Sequence, residues 1–167
     1  MTETKQYKLV IFDVDGTLTA TKSGETFRKN AADWKWLPDR LKKLAELDAQ
    51  GVKMACATNQ GGVAFGLLDP REIRAELTRM AEEVHISVVE MCFSHPKAKL
   101  PEYREDSPRR KPGPGMLLSI IAKSGESKED CLMVGDRPED NQAAHAAGIS
   151  FYLADFFFGD LTLKTNQ

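Results

Sequence analysis

Short apolar runs alternate along this chain with segments whose apolar residues recur at helical spacing. Five runs have the length and composition of buried strands, at residues 8–12, 52–57, 86–93, 131–134 and 149–153. Between them, helical spacing covers residues 38–50, 70–84, 115–123 and 138–147. Strands that alternate with helices pair in parallel, and nearly continuous apolar strands suit a sheet covered on both faces. The pattern predicts an α/β fold with a doubly wound, mainly parallel sheet of about five strands and helices on both faces.

Capping residues mark several ends of the predicted helices. Asp69 precedes Pro70, and an acidic N-cap followed by proline is a common helix start. Gly51, Gly125 and Gly148 follow helical segments, as C-terminal glycines often do. The helix boundaries therefore carry chemical signals of their own.

Acidic side chains follow two of the predicted strands. Asp13 and Asp15 come at the end of the first strand, and Asp136 and Asp140 come after the fourth. Residues two apart on a strand point to the same face, so Asp13 and Asp15 need a counter-charge. Ligands of open α/β sheets bind at the carboxyl ends of the strands, where these acids would converge. Their hard oxygen donors predict a Mg²⁺ site.

A hydroxyl and an ammonium complete this predicted site. Thr58 follows the second strand, and Lys111 precedes the third helix. Both groups suit the oxygens of a phosphoryl group, and a metal facing such donors is the equipment of phosphoryl transfer. The predicted chemistry is therefore phosphoryl transfer at the sheet edge.

Four segments carry a family resemblance. FDVDGTLT, ATNQGG, RKPGPGM and VGDRPEDN resemble the four ordered motifs of the haloacid dehalogenase (HAD) superfamily, in its capless subfamily IIIA. The resemblance spans nearly the whole chain. It implies a HAD-like Rossmannoid fold and a Mg²⁺-dependent phosphoric monoester hydrolase.

The same resemblance implies individual roles. Asp13 would be the nucleophile that forms an aspartyl-phosphate, and Asp15 would be the general acid and base. Thr58 and Lys111 complete the implied catalytic set. The implied metal ligands are Asp13, Asp15, Asp136 and Asp140, of which Asp15 would use its backbone carbonyl and Asp140 is either a ligand or a partner of one. The implied substrate-binding residues are Gly16, Thr17, Lys22, Arg28, Trp34, Asn59, Gln60, Arg110 and Arg137.

The spacing of the motifs predicts a domain without a cap. The interval from Asp13 to Thr58 must hold a flap and a helix, and that from Thr58 to Lys111 must hold a helix, a strand and a loop. Neither interval has room for a separate cap domain. We expect a single domain over residues 1–167, with loose ends at about 1–6 and 160–167 and an open site.

The segment after the first motif favours a nucleic-acid end as substrate. TATKSGETFRKNAADWKWLP resembles the flap of the phosphatase domain of polynucleotide kinase/3'-phosphatases. By that resemblance Lys22, Arg28 and Trp34, with Lys35 and Trp36, contact a DNA or RNA terminus, because cations track phosphates and aromatic rings stack on bases. Alternatively, the tryptophans pin the flap to the core. The main interpretation is a polynucleotide 3'-phosphatase.

A small-molecule phosphatase is the alternative. The motifs also resemble those of histidinol-phosphate and heptose-bisphosphate phosphatases, which carry a zinc loop before the lysine motif. Here Cys92 and His95 have no later cysteine beside them, and two ligands cannot complete a structural zinc site, so zinc is not expected. A non-catalytic binding module on a HAD fold is a second alternative, which the complete set of catalytic residues disfavours.

The composition and net charge of the chain mainly exclude classes of protein. The chain has 167 residues, a net charge of -2 and no apolar run long enough for a membrane span, so a cytoplasmic protein without a membrane partner is expected. Three cysteines in apolar surroundings predict reduced thiols rather than disulfides. Three consecutive phenylalanines, Phe156, Phe157 and Phe158, cannot all face one core, which suggests weak self-association through them.

Overall fold

Residues 5–159 are described by the structure, a computed structural model. The apolar run after Tyr7 forms its central strand, and the other elements follow in the predicted alternation. The strands and helices, in chain order, are β1 (Leu9–Phe12), β2 (Thr19–Ala20), β3 (Lys35–Trp36), α1 (Arg40–Ala49), β4 (Lys53–Asn59), α2 (Pro70–Glu83), β5 (Val88–Cys92), α3 (Gly115–Ser124), β6 (Cys131–Gly135), α4 (Pro138–Ala147), β7 (Ser150–Leu153) and α5 (Ala154–Phe157).

Five strands form one parallel sheet in the order β5-β4-β1-β6-β7. Leu9 of β1 lies opposite Lys53 of β4 on one side and Cys131 of β6 on the other. Since β1 is central, chain segments following β1, β4 and β6 emerge side by side at the carboxyl edge. The predicted fold class is confirmed.

The two faces of the sheet are covered by different helices. Val10 and Phe12 of β1 pack in a core that includes Leu44 of α1 and Leu77 of α2. Leu9 and Ile11 point to the other face, as strand alternation requires, and pack with residues of α3 and α4. Each fully buried large aliphatic side chain contributes about 1.5–3 kcal/mol to the free energy of unfolding.

Most element boundaries agree with the sequence pattern within two residues. Asp69 caps α2 as predicted, because its carboxylate accepts hydrogen bonds from the backbone N–H groups of Arg71 and Glu72. The first helix begins at Arg40 rather than at residue 38, because Asp39 adopts a left-handed conformation with φ 64°. Predicted strand 86–93 is shorter at both ends in β5.

Three elements have no counterpart in the prediction. The antiparallel pair β2–β3 and the helix α5 are too short for any periodicity to reveal them. Between β1 and β4, the described residues contain only this β2–β3 pair, its connecting loop and α1. The segment of residues 19–36, here called the flap, is thus the only covering element there, and no separate cap domain occurs within residues 5–159.

The described residues leave out most of the two loose ends that the sequence predicts. Residues 160–167, predicted as a loose tail, lie outside the described residues, as do residues 1–4 of the predicted N-terminal loose end. The single domain over 1–167 therefore stays a prediction.

Cys56, Cys92 and Cys131 are buried free thiols. Within residues 5–159, none of the helices combines the length and apolarity that crossing a membrane requires.

Candidate active site

The carboxyl edge of the sheet brings the predicted catalytic residues together. Asp13 follows β1, Thr58 lies at the end of β4 and Asp136 follows β6, and these three strands are parallel neighbours. Lys111 reaches the same edge from the loop before α3. The convergence expected from the sequence is therefore present.

Lys111 forms a buried cluster with two carboxylates. Its Nζ donates to Asp13 Oδ1 at 2.8 Å and to Asp140 Oδ1 at 2.6 Å. The side chains of Lys111 and Asp140 are each 3% exposed, and that of Asp13 is 10% exposed. Burial alone would lower the pKa of Lys111, but the two carboxylates outweigh it and raise that pKa above its ordinary value. Lys111 thus stays charged and supplies the counter-charge that Asp13 requires.

The carboxyl group of Asp13 is held in a strongly perturbed environment. Burial raises its pKa to about 8, while the charge of Lys111 acts in the opposite direction and that of Asp140 adds to the rise. A divalent cation beside Asp13 would favour the ionised form, which is the nucleophilic one.

Asp140 organises the start of α4. Its Oδ2 accepts hydrogen bonds from the backbone N–H groups of Asp136 at 3.2 Å and Arg137 at 3.1 Å, while Oδ1 binds Lys111. A Cβ on Gly135 would lie 2.4 Å from the Cβ of Asp140, so this position admits only glycine. Both oxygens of Asp140 are therefore engaged by protein donors, from Lys111 and from the backbone at the start of α4.

Asp136 presents an exposed carboxylate beside the first motif. Thr17 Oγ1 donates to Asp136 Oδ1 at 3.2 Å. Gly16 has φ +88°, and a Cβ there would lie 2.2 Å from Asp136 Oδ2. The carboxylate can lie this close to the backbone after Asp15 only because Gly16 has no side chain.

The acidic cluster fits a hard cation. Asp13, Asp136 and Asp140 each offer a carboxylate oxygen, and these oxygens lie within 4.8 Å of one another. Carboxylate oxygens are the ligands that Mg²⁺ prefers. No other group of three or more such side chains occurs within residues 5–159, and Cys92 and His95 belong to none.

Asp15 is held by different partners from those of Asp13. Arg28 Nε donates to Asp15 Oδ1 at 2.7 Å, and Gln60 Nε2 donates to Asp15 Oδ2 at 2.8 Å. The Asp15 side chain remains 38% exposed. Gln60 Nε2 also donates to the buried hydroxyl of Thr58 at 2.9 Å, so it links the first and second motifs.

Asn59 fixes the backbone that carries Lys111. Its Nδ2 donates to the carbonyl of Lys111 at 2.9 Å, and its Oδ1 accepts from the Lys111 N–H at 3.0 Å. The amide thus pairs with Lys111 as a neighbouring strand would. Asn59 therefore holds the backbone of Lys111, and the substrate contact that the resemblance implied stays a prediction.

Two of the flap residues that were predicted to bind substrate are turned inwards. Arg28 is 7% exposed and binds Asp15, as described above. Trp34 is also 7% exposed, donates from Nε1 to Glu76 at 2.8 Å and packs edge-on against Trp36 at 5.5 Å. The prediction that the side chains of Arg28 and Trp34 face a nucleic acid therefore disagrees with the structure. Trp34 and Trp36 hold the flap against the rest of the protein instead. Lys22 is exposed on the flap.

Other predicted contacts lie at the rim of the site. Arg137 is exposed at the start of α4, with its guanidinium 5.9 Å from the ring centroid of Phe27 on the flap. Arg110 is half-buried before Lys111. Burial together with the charges of Arg110 and Lys97 lowers the pKa of His95, which stays neutral near pH 7. His95 Nδ1 accepts a hydrogen bond from the Lys97 N–H at 2.9 Å, which helps to order this loop.

Glu90, a buried acid that was not predicted from the sequence, holds the loop that carries Lys111. Glu90 of β5 accepts hydrogen bonds from Arg109 at 2.9 Å, Lys123 at 2.7 Å and Ser119 at 2.9 Å. Arg109 lies two residues before Lys111, so Glu90 ties that loop to the sheet. An acid inside the apolar run VVEMC was the available signal, because a buried carboxylate requires partners.

A second missed acid organises the flap. Asp33 is 7% exposed and accepts hydrogen bonds from the backbone N–H groups of Ser23 and Lys29, both at 2.9 Å, and from the Ser23 hydroxyl at 2.7 Å. Hydrogen bonds from Lys29 and Ser23 lower the pKa of Asp33 to about 2. The loop of the flap is therefore closed by a carboxylate that is ionised at neutral pH.

The three phenylalanines do not form one exposed patch. Phe157 and Phe158 are half-buried against Phe12, with ring centroids 5.8 and 6.1 Å away. Only Phe156 is largely exposed, at 55%. Two of the three rings are thus used inside the fold, and self-association through these phenylalanines stays a prediction.

The sheet order, the motif positions and the lysine–aspartate cluster define a phosphatase of the HAD superfamily. The family model described as polynucleotide kinase 3 phosphatase matches residues 8–160. The chain belongs to this family. It is a phosphoric monoester hydrolase, like its relatives below.

Three similar proteins are heptose-bisphosphate phosphatases. A D-glycero-beta-D-manno-heptose-1,7-bisphosphate 7-phosphatase of Rhodopseudomonas palustris is 33% identical over 120 residues, which cover 69% of this chain and 67% of that protein. The enzyme of the same name from Escherichia coli K12 is 28% identical over 151 residues, covering 87% and 77%. The crystal structure of D,D-heptose 1,7-bisphosphate phosphatase from B. bronchiseptica, complexed with magnesium and phosphate, has a TM-score of 0.75 and 30% identity, covering 87% of this chain and 79% of that one.

Proposed function

We propose that this chain is a Mg²⁺-dependent phosphatase of a phosphorylated sugar, of the heptose-bisphosphate type, that works through an aspartyl-phosphate on Asp13. One observation carries the catalytic part of the proposal. The buried carboxylate of Asp13 lies 2.8 Å from the ammonium of Lys111 and beside Asp136 and Asp140. Such an arrangement prepares a nucleophile next to charges that neutralise a phosphoryl group.

The residues divide the reaction between them. Asp13 attacks phosphorus, the bond from phosphorus to the leaving oxygen breaks, and Asp15 gives that oxygen a proton. Asp15 then takes a proton from the water that attacks the aspartyl-phosphate, which releases phosphate and restores Asp13. Lys111 and Thr58 hold the phosphoryl oxygens. Mg²⁺, held by Asp13, Asp136 and the backbone carbonyl of Asp15, would supply positive charge beside those oxygens.

Two lines of support favour a sugar phosphate over a nucleic-acid end. The relatives described above that match most of this chain are named as heptose-bisphosphate phosphatases. In addition, the flap offers only part of the surface on which the nucleic-acid interpretation rested, because Arg28 and Trp34 are buried in internal contacts. Arg110 and Lys97 both lie near enough to His95 for their charges to lower its pKa. These two cations are candidates for binding a second phosphate group of the substrate.

A polynucleotide 3'-phosphate is the second candidate, and the description of the matching family model favours it. Lys22 and Lys35 remain exposed on the flap and could meet a phosphate backbone. Their contribution would depend strongly on salt. Substrate comparison at two salt concentrations separates the two candidates.

The decisive experiment compares specificity constants over a panel of substrates. The panel contains heptose 1,7-bisphosphate, histidinol phosphate, a 3'-phosphorylated oligonucleotide and 4-nitrophenyl phosphate, each with Mg²⁺. We expect the heptose bisphosphate to exceed every other member by more than about tenfold in kcat/KM, equivalent to ~1.4 kcal/mol. Addition of EDTA should stop turnover, and excess Mg²⁺ should restore it.

Each outcome bears on a different part of the proposal. A preference for the oligonucleotide, with kcat/KM that falls steeply as salt rises, would replace the sugar by a nucleic-acid end. Turnover that survives EDTA would refute the metal-dependent mechanism. An absence of turnover on all four phosphates would overturn the proposed function altogether.

A further inference from the structure

Arg28 is a buried cation inside the flap. Its side chain is 3% exposed, Nε lies 2.7 Å from Asp15 Oδ1, and Nη1 donates to the carbonyl of Ala31 at 3.0 Å. Burying a guanidinium is expensive unless it is paired and hydrogen-bonded. A residue kept for the attraction of a polyanion would not need to be sequestered in this way. The contact with Asp15 is therefore the feature that needs a functional explanation.

Two donors from different segments fix the carboxylate of Asp15. Arg28 holds Oδ1 from the flap, and Gln60 holds Oδ2 from the loop after β4 at 2.8 Å. With each oxygen bound to its own donor, the carboxylate cannot rotate about its terminal torsion without breaking a hydrogen bond. Asp15 nevertheless keeps 38% of its side chain exposed towards solvent. It is thus both oriented and accessible.

The flap is built as a rigid support for Arg28. Asp33 binds the backbone of Ser23 and Lys29, which lie on either side of Arg28 in the chain. Trp34 fastens the end of this loop to Glu76 of α2. The position of the guanidinium is therefore set by the folded flap rather than by a flexible side chain reaching from the surface.

We propose that Arg28 is a positioning residue that holds Asp15 in the orientation required to protonate the leaving oxygen. The inference rests on the proposed function, in which Asp15 is the general acid. Without Arg28, only Gln60 restrains the carboxylate, and Asp15 rotates away from the line of proton transfer. Precise orientation of an acid and its substrate contributes strongly to the rate.

The test uses leaving groups that differ in their need for a proton. 4-Nitrophenolate leaves readily without protonation, whereas an alkyl alkoxide must be protonated as it leaves. For Arg28→Gln we expect kcat/KM to fall roughly 10- to 100-fold on the alkyl phosphate that the wild type uses best in the panel above. On 4-nitrophenyl phosphate the loss should be about fivefold or less, because the general acid matters little there. The inhibition constant of inorganic phosphate should stay within about twofold of the wild type, since the proposed role gives Arg28 a contact with Asp15 and none with the phosphoryl group.

Two further variants make the comparison specific. Arg28→Lys keeps the charge and one donor, and its loss on the alkyl phosphate should lie between those of the wild type and Arg28→Gln. Lys29→Gln is the matched control, because Lys29 is the neighbouring cation and its side chain is 57% exposed. Lys29→Gln should keep wild-type kcat/KM on both substrates. If Arg28→Gln does not fold, as judged by thermal unfolding, the same ratio measured for Arg28→Lys decides the question.

The outcomes separate this inference from the function on which it rests. Equal losses on the two substrates, or a weakened inhibition by phosphate, would overturn the positioning role and make Arg28 a structural or substrate-binding residue. Unchanged kcat/KM on both substrates would overturn it as well. A wild type without turnover on any phosphate would overturn the proposed function first, and the inference with it.

Discussion

Two carboxylates that flank Val14 are held in opposite ways. Asp13 is 10% exposed and belongs to a cluster with Lys111 and Asp140 that is sealed among the strand ends. Asp15 is 38% exposed, and its partners are Arg28 from the flap and Gln60 from a loop. The first environment suits a nucleophile kept away from water and fixed against a charge. The second suits a group that must exchange protons with substrate and solvent.

The difference follows from where each set of partners originates. The partners of Asp13 come from the sheet edge and from a loop tied to it by Asn59 and Glu90. The flap partner of Asp15 depends on the internal hydrogen bonds of Asp33. Changes in the first set should damage chemistry and stability together, whereas changes in the second should affect chemistry with little loss of stability.

The largest effect is expected for the nucleophile itself. Asp13→Asn should lower kcat by roughly 10⁴-fold or more, because an amide cannot form the acyl-phosphate. Steady-state turnover with Mg²⁺ measures the loss, and phosphate labelling of denatured protein should disappear with it. Asp155→Asn, at an exposed aspartate of α5, is the control and should leave both unchanged. Residual labelling in Asp13→Asn would move the nucleophile to another residue.

Lys111 and Arg28, both buried cations, should differ in their contribution to stability. Lys111→Met leaves Asp13 and Asp140 without a counter-charge in a buried place, and should lower the free energy of unfolding by about 3–5 kcal/mol in EDTA. Arg28→Gln leaves a carboxylate that water can reach, so a loss of only about 1–2 kcal/mol is expected. Urea unfolding of both variants gives the values. Equal losses would contradict the division between the sealed and the open carboxylate.

A substitution of Gly16 tests the close approach of the Asp136 carboxylate to the backbone that follows Asp15. Gly16→Ala places a methyl group 2.2 Å from Asp136 Oδ2 at a residue with φ +88°. The strained backbone should cost about 1–2 kcal/mol of stability, and displacement of the carboxylate should weaken Mg²⁺ binding. Calorimetric titration with Mg²⁺ should show an affinity about tenfold lower, or ~1.4 kcal/mol. Gly24→Ala is the control, because that glycine also has positive φ but has open space around its Cα. The same affinity for both variants would mean that the Asp136 carboxylate does not contribute to the cation site.

Glu90 holds the loop that carries Lys111 through Arg109, and its contribution should appear as a pH dependence of stability. Burial alone would raise the pKa of Glu90, but hydrogen bonds from Lys123, Arg109 and Ser119 outweigh it and lower the pKa to about 2. Because the folded pKa lies below the ordinary value of about 4.3, the stabilisation is complete above that pH and is lost as pH falls towards 2. Glu90→Gln should therefore be less stable than the wild type above about pH 5, and the difference should shrink below pH 4.

Urea unfolding between pH 3 and pH 7 measures this difference. Glu83→Gln serves as the control, because Glu83 is exposed at the end of α2. Its difference from the wild type should be small at every pH. A Glu90→Gln difference that stays constant from pH 7 to pH 3 would contradict the low pKa.

The sequence determined the fold class, the order of the elements and the residues at the strand ends. Apolar runs alternate with amphipathic segments over most of the chain, and this information is local, so β1, β4, β6 and their following motifs could be predicted with accurate boundaries. The family resemblance then carried the roles proposed for Asp13, Asp136 and Lys111, whose proximity in space the structure confirms.

Only the tertiary structure decided which polar side chains face inwards. Arg28 and Trp34 have the composition of a surface that binds nucleic acid, yet their partners, Asp15 and Glu76, lie 13 and 42 residues away in the chain. The same holds for Glu90, whose charge is balanced by Arg109 and Lys123 across the sheet and helix. The burial of a charge depends on partners that folding brings together. Neither composition nor periodicity records such pairings, because both describe neighbours along the chain.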